Sequence, residues 1–372
     1  MGPVLLLWLL AALPAELPER TWLLEQKLSL RLVSGSEWDT NARRAVNSTA
    51  QVPPVSDGLV RVLVDAEASL KLTPLDRVSL SYVLGAKRFF RQSTEDLVAH
   101  DLVFESAHRL LESLSLETRA RFRASRIRSG ARDYTIGSAG AGITLLPWSR
   151  VSLSLHGRVE GFDFGATDEL SYLGPAVEAS ATLHASQRFQ LGVFGGPVWR
   201  AYQGYAYRVV PSADGQSYDA VRCDGSDERC ARMLRTDTEV DLGFRASYRG
   251  TFIVGGEALL RLQRSTSELE VIDRYRLSAY ATVPLPLELT LSLIGALQYN
   301  HGLSASQQIY VAEDDENQNS LEVQLGRRIF AALRVDLRYA LYANEFATAS
   351  ARFLRQTVYL GVSYALDTGA QE

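Results

Sequence analysis

The chain has 372 residues, 46% of them hydrophobic and 22% charged, with a formal net charge of −4. That balance excludes a bundle of membrane-crossing helices, and no apolar run beyond residue 16 approaches the roughly 18 residues a spanning helix needs. There is no basic surplus of the kind that marks a nucleic-acid binder, so no nucleic-acid partner is expected. Lys27, Lys71 and Lys87 are the only lysines among 39 basic residues. A high-GC genome explains so general an arginine bias more simply than guanidinium chemistry at one site.

Met1–Ala15 reads MGPVLLLWLLAALPA, a short apolar core ending in a small residue. It is expected to be a signal peptide cut near Ala15, although its first residues lack the usual Lys or Arg; an uncleaved helical anchor is the alternative. From residue 24 the sequence alternates apolar and polar. In Arg61–Leu72, Val62, Val64, Ala66, Ala68, Leu70 and Leu72 take one parity, while Arg61, Asp65, Glu67, Ser69 and Lys71 take the other. An extended chain sends successive side chains to opposite faces, so such a segment is a strand with one greasy and one charged side.

The pattern predicts strands over 24–34, 58–72, 76–88, 98–111, 114–127, 133–146, 149–163, 169–184 and 187–205. It resumes over 234–248, 251–265, 271–284, 287–300, 319–330, 332–344 and 353–366. That is about sixteen strands. Every second connection is tight, as at Thr73–Asp76, Glu112, Pro147–Ser149, Ala185–Gln187, Arg249–Gly250, Pro284–Pro286 and Phe330–Ala331. The intervening ones, 35–57, 88–97, 206–233 and 301–318, are mostly longer. Short turns on one side and long loops on the other are the pattern of outer-membrane barrels. The expected fold is therefore all-β, a transmembrane antiparallel up-and-down barrel. Residues 16–23 form a short periplasmic lead-in, 24–366 the barrel and 367–372 a C-terminal tail. Trp38, Phe89, Phe90, Trp148, Phe162, Trp199, Tyr202, Tyr205 and Tyr207 fall near strand ends, where aromatic girdles belong.

Alternation alone does not say which face is inside. The apolar parity is nearly free of charge through strand centres, and an arginine facing lipid at the midplane costs about 2–4 kcal/mol. The charged parity is therefore expected to line the lumen. It comprises Arg61, Asp65 and Glu67, then Glu117, Arg119, Arg121 and Arg123, then Arg158 and Glu160. Further along it takes Glu239, Asp241 and Arg245, then Arg274 and Arg276, and finally Arg334, Asp336 and Arg338. These charges either tune passage of anionic or sugar-like solutes or pair across strands and stiffen the wall.

Cys223 and Cys230 lie close together in a polar stretch with no nearby histidine, so a loop disulfide is expected rather than a metal site. Glu313-Asp314-Asp315-Glu316-Asn317 offers clustered oxygens, but its spacing is not that of a calcium loop, and solvated surface charge is the simpler reading. An enzyme is not expected. The five histidines are His100, His108, His156, His184 and His301. His156 neighbours Ser154 as alternation alone would produce, and no G-x-S-x-G occurs. No cofactor is called for.

Two local resemblances add to this. Tyr359-Leu360-Gly361-Val362-Ser363-Tyr364-Ala365-Leu366 resembles the signal read by barrel-assembly machinery, with Gly361, Tyr364 and Leu366 at the matching positions; Leu366 and a tail stand where that pattern ends in an aromatic. Gly35, Asp39, Thr40 and Asn41 resemble the opening of barrels that follow helical-repeat domains in surface-lipoprotein assembly and polysaccharide-export proteins, though no such domain is expected ahead of this barrel. The expected fold implies outer-membrane lipid as an associate, and the resemblances imply the assembly machinery and a separate periplasmic export partner; a motility partner belongs to the anchor alternative below. The expected function is a channel for hydrophilic solute or polymer, with exopolysaccharide export as one form. The alternative is a non-conducting barrel whose external loops anchor a machine for adhesion or gliding.

Overall fold

The computed structural model describes residues 25–42, 54–73, 75–130, 132–212, 217–268, 270–304, 319–344 and 353–367. The expected signal peptide, the lead-in 16–23, the acidic run Glu313–Asn317 and tail residues 368–372 lie outside the described residues.

Eighteen strands follow one another: β1 (Glu25–Asp39), β2 (Asp57–Lys71), β3 (Asp76–Phe89), β4 (Leu97–Leu111), β5 (Leu114–Ile127), β6 (Tyr134–Trp148), β7 (Val151–Phe164), β8 (Tyr172–His184), β9 (Phe189–Tyr205), β10 (Tyr207–Pro211), β11 (Tyr218–Arg222), β12 (Leu234–Arg249), β13 (Ile253–Ser265), β14 (Glu270–Leu285), β15 (Leu289–Ser304), β16 (Asn319–Arg328), β17 (Leu333–Asn344) and β18 (Phe353–Asp367). Sixteen of them close into one antiparallel barrel, with β1 paired to both β2 and β18; β10 and β11 stand apart as a two-stranded hairpin.

Several bounds differ from the sequence reading: Asp168–Leu170 form a 3-10 turn ahead of β8, β15 runs on to Ser304, and three further differences bear on the wall and its loops. β1 continues to Asp39 instead of stopping near residue 34, because Gly35–Asp39 pair on both sides, Glu37 opposite Leu59 and Tyr359. The run Ser34-Gly35-Ser36 interrupts the alternation there and hides the strand. β18 reaches Asp367, which pairs with Ser29, so the tail begins one residue later. The connection 206–233 contains β10 and β11, whose five residues each are too few to show a period.

The apolar parity faces outward. Leu277, Leu297 and Leu360 are 55%, 64% and 58% exposed along the wall. The charged parity faces inward, as ion pairs that skip a strand demonstrate. Arg200 on β9 reaches Glu160 on β7 at 3.9 Å, and Arg338 on β17 reaches Glu37 on β1 at 3.2 Å. Side chains two strands apart converge only on the concave side of a curved sheet; on the convex side they splay. A closed barrel with a greasy exterior leaves no edge unpaired in lipid, and the chain is accordingly an outer-membrane β-barrel.

Parity also corrects the aromatic assignment. Trp38, Phe90, Trp148 and Trp199 are exposed at strand ends, as a girdle requires. Phe89, Phe162 and Tyr202 instead lie on the inner parity and are buried. The sequence pattern places an aromatic near an end, but a shift of one residue decides which side of the wall it joins.

Candidate functional site

The inner wall has two unlike halves. At the loop end, Phe162, Phe164, Leu170, Tyr172 and Tyr202 form a buried cluster, and Arg200 and Arg235 lie over the rings of Tyr172 and Tyr202 at 4.6 Å and 4.2 Å. Around them runs a lattice of enclosed ion pairs. Arg200 donates to Glu239 at 2.7 Å, and Arg261 donates twice to Asp241 at 2.7 Å and 2.9 Å. Arg235 holds Asp237 at 3.0 Å and 2.5 Å, with Gln263 donating to the same carboxylate at 2.9 Å. On the opposite arc Arg355 donates to Asp39 at 2.9 Å, and Glu37 lies between Arg61 at 3.0 Å and Arg338 at 3.2 Å. Burying so many charges is tolerable because nearly every one has an opposite partner.

Toward the turn end the wall opens. A cavity of about 710 Å³ is lined by Glu67, Arg77, Glu105, Glu117, Arg119, Arg121, His156, Arg158, Glu160 and Glu178, with Ser138 and Gly140 of β6 between the charged banks. A neighbouring cavity of about 570 Å³ at the turn rim carries Lys27, Lys71, Arg77 and Arg109. The floor is set by register: Glu117, Arg119 and Arg121 of β5 stand opposite Gly142, Gly140 and Ser138 of β6, which stand opposite His156, Arg158 and Glu160 of β7. Small residues on the middle strand leave room above it, and long charged ones on its neighbours form the sides.

The remaining expected residues fall on the same face. Asp65 meets Arg31 at 3.4 Å, and Arg121 grips Asp101 at 2.9 Å and 2.5 Å. Arg123 lies over the Tyr134 ring at 5.9 Å, and Arg245 over Phe194 at 5.8 Å. Arg274 donates to Asn300 at 3.3 Å, and Arg334 to Asp336 at 2.7 Å. Arg276 has no ion-pair or hydrogen-bond partner for its side chain among the described residues. The sequence reading passed over Glu37, Asp39, Asp101, Arg200, Arg235, Asp237, Arg261 and Arg355. All but Arg200 share the parity of charged neighbours on their own strand, and that signal would have found them; Arg200 is the one charged residue of β9 and had no such signal.

At the barrel's closing seam, Gly35 pairs with Gly361, and the Tyr359 ring packs over both. Tyr364 and Leu366 point outward from the same strand. The segment that resembles an export-barrel opening ties this seam at the loop end. Asn41 N–H donates to Asp39 at 2.9 Å, Thr40 N–H to the Gln356 carbonyl at 3.0 Å, and Gln356 N–H to the Thr40 hydroxyl at 2.9 Å.

Outside the membrane, the segment that follows the β10–β11 hairpin is closed by the Cys223–Cys230 disulfide. Tyr207 N–H donates to Ser267 at 3.0 Å and Val209 N–H to Glu268 at 2.8 Å, while Arg222 pairs with Glu169 on the other side. The Arg229 side chain and backbone N–H hold the Asp227 carboxyl down to about 2, and the Asp227 and Asp219 carboxylates raise Arg229 further in turn. Hydrogen bonds from the Ser226 hydroxyl and N–H lower Asp224 in the same way.

No protein-family model matches the chain, and no curated protein matches it. Among solved structures, the chain is similar to the outer-membrane protein OprD from Pseudomonas aeruginosa at 10% identity, covering 94% of this chain and 96% of that one, with a TM-score of 0.45. It is also similar to a TodX monoaromatic hydrocarbon channel mutant at 9% identity, covering 92% and 90%, with a TM-score of 0.41. A bacterial polysaccharide outer-membrane secretin matches at 11% identity, covering 92% and 98%, with a TM-score of 0.39. The architecture rests on the strand pairing itself and not on these likenesses.

Proposed function

We propose that the barrel is a narrow outer-membrane channel for small hydrophilic solutes, with the turn half as a solvated vestibule and the loop half as a constriction. The observation that carries this reading is the cavity of about 710 Å³ on the two-signed inner wall. Rings of mixed charge select among solutes while leaving water a path. In this reading Arg61, Asp65, Glu67, Glu117, Arg119, Arg121, Arg158 and Glu160 line the way. Export of a polymer such as an exopolysaccharide is a finer form that requires the loop-half packing to part. Residues 1–15 direct export of the chain, and Gly361, Tyr364 and Leu366 present the last strand to the barrel-assembly machinery.

One observation favours a second reading, a non-conducting anchor that works with a periplasmic export or motility partner. It is the enclosure of Arg200–Glu239, Arg235–Asp237 and Arg355–Asp39 at the loop end. Conductance of the refolded barrel in a planar bilayer separates the two. Stable steps that change ion selectivity on charge reversal at Arg119, Arg121 and Arg123 support the channel. Electrical silence from a barrel that folds, shown by heat-modifiable gel migration, leaves the anchor.

A further inference from the structure

The arginines of the inner wall are not equally engaged. Arg121, Arg200, Arg235, Arg261 and Arg355 each donate hydrogen bonds to a carboxylate at 3.0 Å or less. Arg119 and Arg158 differ. Arg119 has only an ion pair to Glu105 at 3.4 Å, and Arg158 has only ion pairs at 3.9 Å to Glu160 and Glu178. Among the described residues neither guanidinium donates a hydrogen bond, although each offers five N–H groups.

These two face each other. In the strand register Arg119 of β5 and Arg158 of β7 stand on either side of Gly140 of β6. Two strand spacings put their backbones roughly 10 Å apart, a gap that two extended guanidiniums can close on a small group. Gly140 keeps the gap clear. A Cβ there would meet the Gly157 carbonyl oxygen and the Arg158 Cβ, so no side chain fits beneath the pair without displacing Arg158. One row nearer the turns, Glu117 and Glu178 flank His156, which lies 3.9 Å from Glu117. All of these side chains line the same cavity.

We propose that Arg119 and Arg158 form a carboxylate subsite in the lumen, with Glu117 and Glu178 receiving a cationic amine on the same solute. The ligand class is a small zwitterion of the amino-acid type. This rests on the channel reading and gives it a substrate class. The fork of a guanidinium matches a carboxylate in two parallel hydrogen bonds, and two forks from opposite sides leave neither oxygen unsatisfied. A bare anion meets the carboxylates Glu67, Glu105, Glu117, Glu160 and Glu178 around the same space, and a bare cation meets the arginines. A zwitterion satisfies both.

The test uses alanine labelled with ¹³C at its carboxyl, titrated against the refolded full-length barrel in detergent and followed by NMR. Propionate and ethylammonium serve as single-charge controls. Alanine is expected to bind more tightly than either. Binding should weaken by about tenfold or more in the Arg119→Gln/Arg158→Gln double variant, the loss typical of one charge-assisted contact. Arg264→Gln, which removes an exposed charge at the loop end of β13 outside the cavity lining, should leave it unchanged. Heat-modifiable migration certifies that each variant folds, and Arg119→Lys/Arg158→Lys, which keeps charge but not the fork, should bind at an intermediate level. Equal binding to wild type and the Gln double variant overturns the subsite, as does no binding of alanine at all. Propionate binding as well as alanine overturns the zwitterion assignment. Conductance is read separately: a silent barrel that still binds alanine through Arg119 and Arg158 retires the channel and keeps the subsite.

Discussion

Arg200 Nη1 lies 2.7 Å from Glu239 Oε1 inside the barrel, and Arg261 approaches the second oxygen of the same carboxylate at 3.5 Å. Glu239 is 1% exposed, so one carboxylate neutralises guanidiniums from β9 and β13 in a space with little water. The pair ties together three strands that backbone hydrogen bonding alone joins only neighbour to neighbour.

Removing that carboxylate leaves buried positive charge without its partner. Glu239→Ala should cost about 3–5 kcal/mol of stability, the usual consequence of breaking one side of an enclosed pair. Urea unfolding in lipid vesicles measures it. A loss under about 1 kcal/mol would place the pair in the range of solvated ion pairs and remove the case for a packed constriction.

The sidedness of the wall is testable at two adjacent positions. Leu277 points outward near the middle of β14, and Ser278 points inward. Leu277→Arg should reduce folding stability in bilayers by about 2–4 kcal/mol, while Ser278→Arg should change it far less. The reverse order of effects would mean that the wall is inside out.

The closing seam depends on a close approach. A Cβ on Gly35 would meet the Leu360 carbonyl oxygen and, at 2.6 Å, both the Gly361 Cα and the Tyr359 ring. Gly35→Val should therefore destabilise the barrel by about 1–3 kcal/mol, the range for forcing atoms into a filled space. Tyr359→Ala in the same background should recover part of the loss by vacating the ring. No recovery in the double variant would exclude Tyr359 as the group that the valine displaces.

The external hairpin has its own acid limit. Asp227 is held down to about 2 by the Arg229 hydrogen bonds, below the ordinary carboxylate value. A depressed carboxyl stabilises the folded hairpin above its unfolded value, and the contribution fades as pH falls toward the folded one. The Arg229 Nε resonance should hold steady above about pH 4 and move as pH drops toward about 2, and Asp227→Asn should abolish the movement. A midpoint near the ordinary carboxylate value would show that the hydrogen bonds do not persist in solution.

The disulfide that follows the hairpin should be separable from the barrel. Cys223→Ser/Cys230→Ser removes a cross-link over a sequence separation of 7, which the chain-entropy model values at about 2–3 kcal/mol. Protease cutting within residues 206–233 should speed up, while heat-modifiable migration stays unchanged. Loss of the folded gel form would instead mean that the loop helps to hold the barrel closed.

The amino-acid sequence by itself determined the kind of wall this chain builds. A period of two sends Leu, Val and Tyr one way and Arg, Glu and Asp the other over sixteen segments, and that asymmetry follows from strand geometry without any knowledge of neighbours. The alternation of tight turns with long connections fixed which end of each strand carries loops. What the sequence left open depended on contacts between distant strands. Gly35–Asp39 look like loop residues until Leu59 and Tyr359 flank Glu37. Phe162 and Tyr202 look like girdle residues until they meet inside with Tyr172. Arg119, Arg121 and Arg123 read as one uniform column, yet Asp101 takes up Arg121, Tyr134 lies under Arg123, and Arg119 is left facing Arg158 across Gly140. Only closure of the barrel decides such partners. Register and curvature set which side chains converge, and neither is a property of any single strand.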